Sequence, residues 1–148
     1  FGTAARSERI RRKGNASNVI LVTTLKPRTR GGYQFEFEIR NRSPVGISAV
    51  VVLVEMTSGE LELSGKRLTH FTTRAGRAIA SGDEIAVTSP HVARFPAAFF
   101  DADDGSSRGY VATLYWKDEV GKTWRRCGDD GAERCSAKEH PFAIGRRR

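Results

Sequence analysis

The most regular hydrophobic pattern in the chain lies between residues 33 and 54. Apolar and polar residues alternate strictly from Tyr33 to Arg40, which is typical of a half-buried β-strand with an aromatic face inward. The next run, from Ile47 to Val54, is apolar on both faces. This pattern predicts either a central strand of a sheet that is covered on both sides or a strand that crosses between two sheets. Asn41, Ser43 and Pro44 stand between the two runs and predict a turn.

Weaker patterns predict the remaining strands. They cover Val19–Leu25, a brief edge strand at Glu60–Leu63, Glu84–Ser89, Ala97–Phe100, Tyr110–Lys117 and Thr123–Cys127. Residues 64–82 indicate no single structure, although residues 69–74 have β propensity. Seven or eight short strands without a convincing long helix predict an all-β fold, an antiparallel sandwich of two sheets. Its expected core residues are Phe35, Phe37, Ile39, Val51, Leu53 and Trp116.

Charge divides the chain into a near-neutral body and basic ends. The 148 residues carry a formal net charge of +8. Residues 1–30 contain eight basic side chains and one acidic one, and Arg146, Arg147 and Arg148 end the chain, so the stretch between them is slightly acidic. We expect a basic arm at residues 1–16, either helical or disordered, a sandwich domain at 17–140 and a basic tail at 141–148. Because the body lacks a basic excess, a nucleic-acid-binding fold is less favoured.

Three local patterns carry a resemblance to a known group. They are ERIRRKGNASNV at Glu8–Val19, the Asn-x-Ser-Pro-Val of Asn41–Val45, and YWKDEVGKTWRR at Tyr115–Arg126. Together they resemble uncharacterised actinobacterial proteins in which a membrane-spanning or coiled segment precedes an immunoglobulin-like sandwich. The resemblance implies an immunoglobulin-like fold and attachment to a membrane. It brings no activity and no functional residues.

Residue types that carry chemistry are present but poorly arranged. His70, His91 and His140 are far apart and predict ordinary surface or loop residues, and DADDG at Asp101–Gly105 lacks the remaining ligands of a calcium loop. No serine or cysteine has an identifiable histidine and acid partner. We therefore expect no catalytic residues, no metal and no cofactor, with a hydrolytic or metal-dependent enzyme as a third choice of function.

The cysteines leave two alternatives open. Cys127 and Cys135 flank a short Asp/Gly loop, which indicates either a local disulfide or two free thiols. Zinc bound by these cysteines and His140 is disfavoured, because the seven-residue gap fits no common zinc motif.

The candidate binding residues belong to two segments. The arm offers Arg9, Arg11, Arg12 and Lys13, and the late hairpin offers Trp124, Arg125 and Arg126. Trp116 is expected to fill the core, whereas Trp124 stands among basic residues and is the better candidate for an exposed contact.

The leading hypothesis is a non-enzymatic interaction domain for a protein partner, using strand edges and loops. The alternative is binding of nucleic acid or an anionic surface through the basic ends. Under either hypothesis, we expect the arm to be a juxtamembrane segment at a cytoplasmic membrane face or a disordered basic tail. A cytoplasmic domain would disfavour the disulfide.

Overall fold

The computed structural model describes residues 2–57, 59–89, 91–95, 109–127 and 131–141. An α-helix, α1 at Gly2–Ala16, precedes the first strands, β1 at Val19–Pro27, β2 at Tyr33–Asn41 and β3 at Ser48–Met56. The short strands are β4 at Leu61–Leu63, β5 at Lys66–Leu68, β6 at His70–Arg74, β7 at Glu84–Thr88 and β8 at Ala93–Arg94. The described chain ends with β9 at Tyr110–Lys117, β10 at Thr123–Cys127, β11 at Glu133–Arg134 and a 3-10 helix at Ala137–Glu139.

The strands form two antiparallel sheets, as the alternation predicted. The first sheet has the order β1-β2-β8-β4-β5, and β7 also pairs with β2. The second sheet has the order β11-β10-β9-β3-β6. The all-β, two-sheet sandwich predicted from the sequence is therefore confirmed.

Several strand predictions need correction. The described residues contain eleven strands rather than seven or eight, because strands of two or three residues such as β5 and β8 carry too little pattern to detect. The strand expected at the edge, β4, lies between β8 and β5. The strand expected at 97–100 lies outside the described residues, as do the tail residues 142–148.

The core is built on aromatic rings from both sheets. Phe35 is fully buried, and its ring lies 5.7 Å from Phe37, 5.3 Å from Phe71 and 5.3 Å from Tyr110 between centroids. Edge-on and offset ring pairs of this kind add about 0.5–1.5 kcal/mol each beyond the burial of apolar surface. The aromatic face of β2 is thus the centre of the core.

Strand β3 is covered on both faces, which is the first of the two arrangements that its sequence predicted. Val52 and Val54 point into the core between the sheets, whereas Val51 is buried on the opposite face, level with Tyr115 of β9. Of the six expected core residues, five are buried. Leu53 is only half-buried, because it shares the outer face with Val51 and pairs with Thr72 and Thr113.

The turn after β2 is held by a buried amide. Asn41 donates hydrogen bonds to the carbonyls of Val45 at 2.8 Å and Ile79 at 3.0 Å, and its own oxygen accepts from the Ser43 hydroxyl at 2.6 Å. A buried amide satisfied in this way fixes the chain direction at that end of the sandwich.

Candidate interaction surface

The sequence predicted an arm that is either helical or disordered, and the structure shows a helix, α1. It continues through Gly14 to Ala16, whose side chain is buried in the sandwich core. The Glu8 carboxylate accepts hydrogen bonds from Arg11 at 2.5 Å and Arg12 at 3.1 Å. The bond from Arg11 is the main reason that the pKa of Glu8 lies below its usual value. Two of the four basic residues expected to bind are therefore paired within the helix.

Trp124 is buried, so the expectation of an exposed contact there was wrong. Its side chain is 3% exposed, and its indole Nε1 donates to Asp118 Oδ2 at 3.0 Å. The other carboxylate oxygen of Asp118 accepts from the amides of Val120 and Lys122. Trp124 pairs with Trp116 across the hairpin, and the period of two places both rings on the inner face. Neighbouring basic residues say little about burial, because Arg125 points to the other face and Arg126, on the same face as Trp124, bonds carbonyls at Ser17 and Val19.

A groove separates α1 from the edge of the second sheet. It has a volume of about 290 Å³ and is lined by Arg9, Arg12, Lys13, Trp124, Glu133 and Arg134. The Arg134 guanidinium lies 5.5 Å from the centre of the Trp124 ring, a cation–π contact. Four of the seven expected binding residues therefore meet in one basic groove, although they are far apart in sequence.

Arg126 has a structural position rather than a free one. Its guanidinium donates to the carbonyl of Ser17 at 2.8 Å and to that of Val19 at 3.0 Å. These two bonds join β10 of the second sheet to the exit of α1 and the start of β1. Charge-assisted bonds to carbonyls are among the stronger hydrogen bonds of proteins, so Arg126 fixes this corner of the sandwich.

Arg125 points to the opposite face and is also paired. It bonds Glu133 at 2.6 Å, lies 3.9 Å from Glu139 and is level with Tyr115 of β9. The Glu133 bond is the main cause of a raised Arg125 pKa, and burial raises the pKa of Tyr115. Arg125 thus tethers the chain after β11 to the outer face of the second sheet.

Cys127 and Cys135 are free cysteines, so the bridge considered from the sequence is absent. The pairing of Arg134 with Trp124 places Cys135 level with Thr123, whose carbonyl accepts from the Cys135 amide at 3.1 Å. Cys127 lies at the other end of β10, about 13 Å away at ~3.3 Å per residue. A disulfide needs α-carbons within ~4.4–6.8 Å. Residues that flank a loop need not stand opposite each other.

His140 also differs from the surface residue that was expected. It is 2% exposed, its Nε2 donates to the Ala49 carbonyl at 2.8 Å, and its ring lies edge-on to Tyr115. Burial is the main cause of a lowered His140 pKa, so the ring is held neutral. His140 therefore fastens the segment after β11 onto β3.

The free edge of β1 is the largest feature that the sequence analysis did not identify. The Asn18 carbonyl accepts from the Arg42 amide at 3.0 Å, and Val22 is level with Glu38. Because backbone groups in an antiparallel pair alternate, the even-numbered residues of β1 bond to β2 and the odd-numbered ones point away from it. The bond from Arg126 to the outward carbonyl of Val19 agrees with this assignment.

The outward groups form a short ladder. β1 is the terminal strand of its sheet, so Leu21, Thr23 and Leu25 each present an N–H and a C=O that no strand of the described residues pairs. Val19 ends the ladder because Arg126 occupies its carbonyl, and Pro27 ends it because proline has no N–H. The Lys26-Pro27 end was the available signal in the sequence, since lysine and proline are enriched at sheet edges.

Metal and membrane-spanning features are not found in the described part of the chain. No three His, Cys, Asp or Glu side chains there lie close enough together to hold a metal ion, and Asp101–Gly105 lies outside it. Among the same residues, no helix combines the length and apolar character needed to cross a bilayer. In comparisons with known proteins, no family model and no curated protein matches this chain.

Proposed function

We propose that this protein is a non-enzymatic, immunoglobulin-like interaction domain that binds an extended segment of a protein partner along the free edge of β1. The observation that carries the proposal is the ladder of outward backbone groups at Leu21, Thr23 and Leu25. An extended peptide that joins such an edge forms main-chain hydrogen bonds as an added strand, and its alternate side chains provide specificity.

The length and chemistry of β1 support this use. It has nine residues, and between Val19 and Leu25 it carries no charged side chain. Leu21 and Leu25 are half-buried at the border of the core, and Val22 is 38% exposed on the other face. An added strand would therefore find apolar contacts on both of its faces. Proteins usually protect edges of this length with charges, bulges or a covering element.

A second candidate function follows from α1. Arg9 and Lys13 are exposed and line the basic groove, and neither is paired with an acid of the described residues. Such a surface attracts anionic lipid headgroups by about 1 kcal/mol per basic residue, and nucleic acid by the same attraction to phosphate. This arrangement supports membrane association of the domain as a proposal beside peptide binding.

Thr23→Pro tests the edge directly. Proline removes the outward N–H of Thr23 but none of the bonds between β1 and β2, so the fold is expected to persist. Thr23→Val is the matched control, since it keeps the N–H. Nine-residue peptides selected from a displayed library against the native protein are expected to bind Thr23→Val and to lose binding to Thr23→Pro by at least ~10-fold.

A second variant covers the case in which Thr23→Pro does not fold. Thr23→Lys places a charge on the inner face of the edge, a device that blocks strand addition in natural sheets. Amide exchange of Leu21, Thr23 and Leu25 is expected to slow when a selected peptide binds. Peptides that bind both variants as tightly as the native protein would contradict the proposal.

Arg9→Glu with Lys13→Glu separates the two candidate functions. Both side chains are exposed, so the substitutions spare the buried Ala16, which removal of residues 1–16 would not. Peptide binding at β1 is expected to survive, whereas sedimentation with vesicles containing phosphatidylserine is expected to be lost.

A further inference from the structure

We infer that the segment taken by β1 has an apolar, β-branched centre and acidic residues at both ends. The inference rests on the proposed function and names the chemistry of its partner. Its basis is the distribution of charge along the free edge, which is basic at both ends and apolar between them.

The first end of the edge is basic because of Arg126. Its guanidinium lies against the outward carbonyl of Val19 and also bonds the carbonyl of Ser17, which directly follows α1, the helix that carries Arg9 and Lys13. Arg126 bonds only carbonyls among the described residues, so its charge is not neutralised by a carboxylate there. A peptide residue beyond Leu21 therefore meets a cation.

The second end is basic because of the turn that follows β1. Arg28 and Arg30 are both exposed, and neither forms an ion pair with a described residue. The turn itself is held by the backbone, since the Arg28 amide donates to the Gly32 carbonyl at 3.1 Å. A peptide residue beyond Leu25 therefore approaches two unpaired guanidinium groups.

The middle of the edge does not attract acids. On the outer face of the first sheet, Glu38 is level with Val22 and Glu36 is level with Thr24. Glu36 is paired with Lys26 and Glu38 with Arg40, so the two acids are largely balanced. An added strand would lie about 10 Å from them, near the screening length of physiological salt. Its central side chains would instead contact Val22, Leu21 and Leu25, which favours valine, isoleucine or threonine.

The same charges argue against a second copy of the chain on this edge. Antiparallel pairing of two β1 strands about Thr23 would bring Val19 of one copy level with Pro27 of the other. Arg126 and the basic residues of α1 would then face Arg28 of the partner copy, and like charges at this separation oppose association. An acid-flanked peptide has the opposite, favourable arrangement at both ends.

Three peptides test the inference, each matched in length to the nine residues of β1. All share a centre of alternating valine and threonine, and they carry two acidic, two glutamine or two lysine residues at each end. In titration calorimetry the acid-flanked peptide is expected to bind ~10-fold more tightly than the glutamine-flanked one, and the lysine-flanked peptide more weakly than both. The differences are expected to shrink in about 1 M salt.

Charge reversal locates the effect. Arg28→Glu with Arg30→Glu is expected to weaken the acid-flanked peptide by ~10-fold and to leave the glutamine-flanked peptide unchanged. Arg67→Glu with Arg77→Glu is the matched control. Both side chains are exposed and lie far from β1 in the chain, and the two substitutions change the net charge by the same amount as the test pair. Loss of affinity in the control pair equal to that in the test pair would overturn the inference.

The outcomes separate this inference from the proposed function. Equal binding of the acid-flanked and glutamine-flanked peptides, both lost in Thr23→Pro, would overturn the inference and support the edge. Binding that Thr23→Pro leaves intact, or no binding of any peptide to the folded protein, would overturn the proposed function. Self-association in sedimentation experiments that Thr23→Pro abolishes would assign the edge to a second copy and overturn the acidic partner.

Discussion

The two sheets end differently on β1 and on β11. The β11 edge has only two residues, Glu133 and Arg134, and both are charged and exposed. The segment that follows β11 is fastened back onto the second sheet by Arg125 and His140. The edge of β1 has nine residues, and it carries no charge before Lys26. The β11 edge is thus protected by shortness and charge, whereas the β1 edge lacks both forms of protection.

The comparison implies that substitutions on the two sides have different consequences. Near β11, side chains hold hydrogen bonds and ring contacts, so changes there should lower the free energy of unfolding. Along β1, the outward backbone groups of Leu21, Thr23 and Leu25 pair with no strand of the described residues, so changes there should alter binding and leave stability nearly unchanged. The predictions below test this division, beginning with the largest expected effect.

Trp124→Ala is expected to lower the free energy of unfolding by about 3–5 kcal/mol, because it removes a buried ring and leaves a cavity. Trp124→Phe keeps most of the ring volume but loses the Nε1 bond to Asp118. The lost hydrogen bond should cost about 1 kcal/mol in addition to the cost of the smaller ring. Val22→Ala on β1 is the matched control and should stay within about 0.5 kcal/mol. Urea denaturation measures all three, and equal effects at Trp124 and Val22 would refute the division.

Asp118→Ala is expected to cost about 2 kcal/mol, because one carboxylate accepts from Trp124 and from the amides of Val120 and Lys122. Glu119→Ala, at the exposed neighbouring position, should change stability by less than about 0.5 kcal/mol. Thermal unfolding of the two variants checks the difference. A small loss for Asp118→Ala would show that the turn is held by its backbone alone.

Arg126→Met is expected to cost about 1–2 kcal/mol, because the bonds to the Ser17 and Val19 carbonyls are lost. Arg125→Met should cost less than about 1 kcal/mol, since its partner Glu133 is largely exposed. Urea denaturation ranks the two variants. The reverse order would mean that the corner between α1, β1 and β10 does not depend on Arg126.

The sequence was sufficient for the parts of the fold that depend on local pattern. The alternation at Tyr33–Ile39 and the apolar run at Ile47–Val54 correctly predicted two central strands and four buried core residues, and the pattern at Tyr110–Lys117 added Trp116. Short strands such as β8 were not predictable, because two residues carry no period. Trp124 was misjudged because the charges beside it are used within the domain: Arg125 points to the opposite face and pairs with Glu133, and Arg126 bonds backbone carbonyls at Ser17 and Val19.

The candidate surface depended on long-range order and was harder to predict. Val19–Leu25 was recognised as a strand, but its place at the end of a sheet follows from pairings with distant residues. The same holds for the groove, which joins α1 to residues more than a hundred positions later, and for Cys127 and Cys135, whose separation depends on the register of β10 and β11. Local composition indicates which residues could bind, and the topology decides which of them meet.

The smallest predicted effect concerns pH and the fastening of the segment after β11 by His140. Burial lowers the pKa of His140 in the folded protein. At pH values between this lowered pKa and the ordinary pKa near 6.5, the unfolded chain therefore binds one more proton than the folded protein. The contribution of His140 is therefore complete above about pH 6.5 and decreases as the pH falls through that range. Unfolding free energies measured at pH 8 and pH 5 should differ less in His140→Gln than in the native protein. His70→Gln, at an exposed position, should keep the native difference, and an unchanged difference in His140→Gln would place the pH dependence elsewhere.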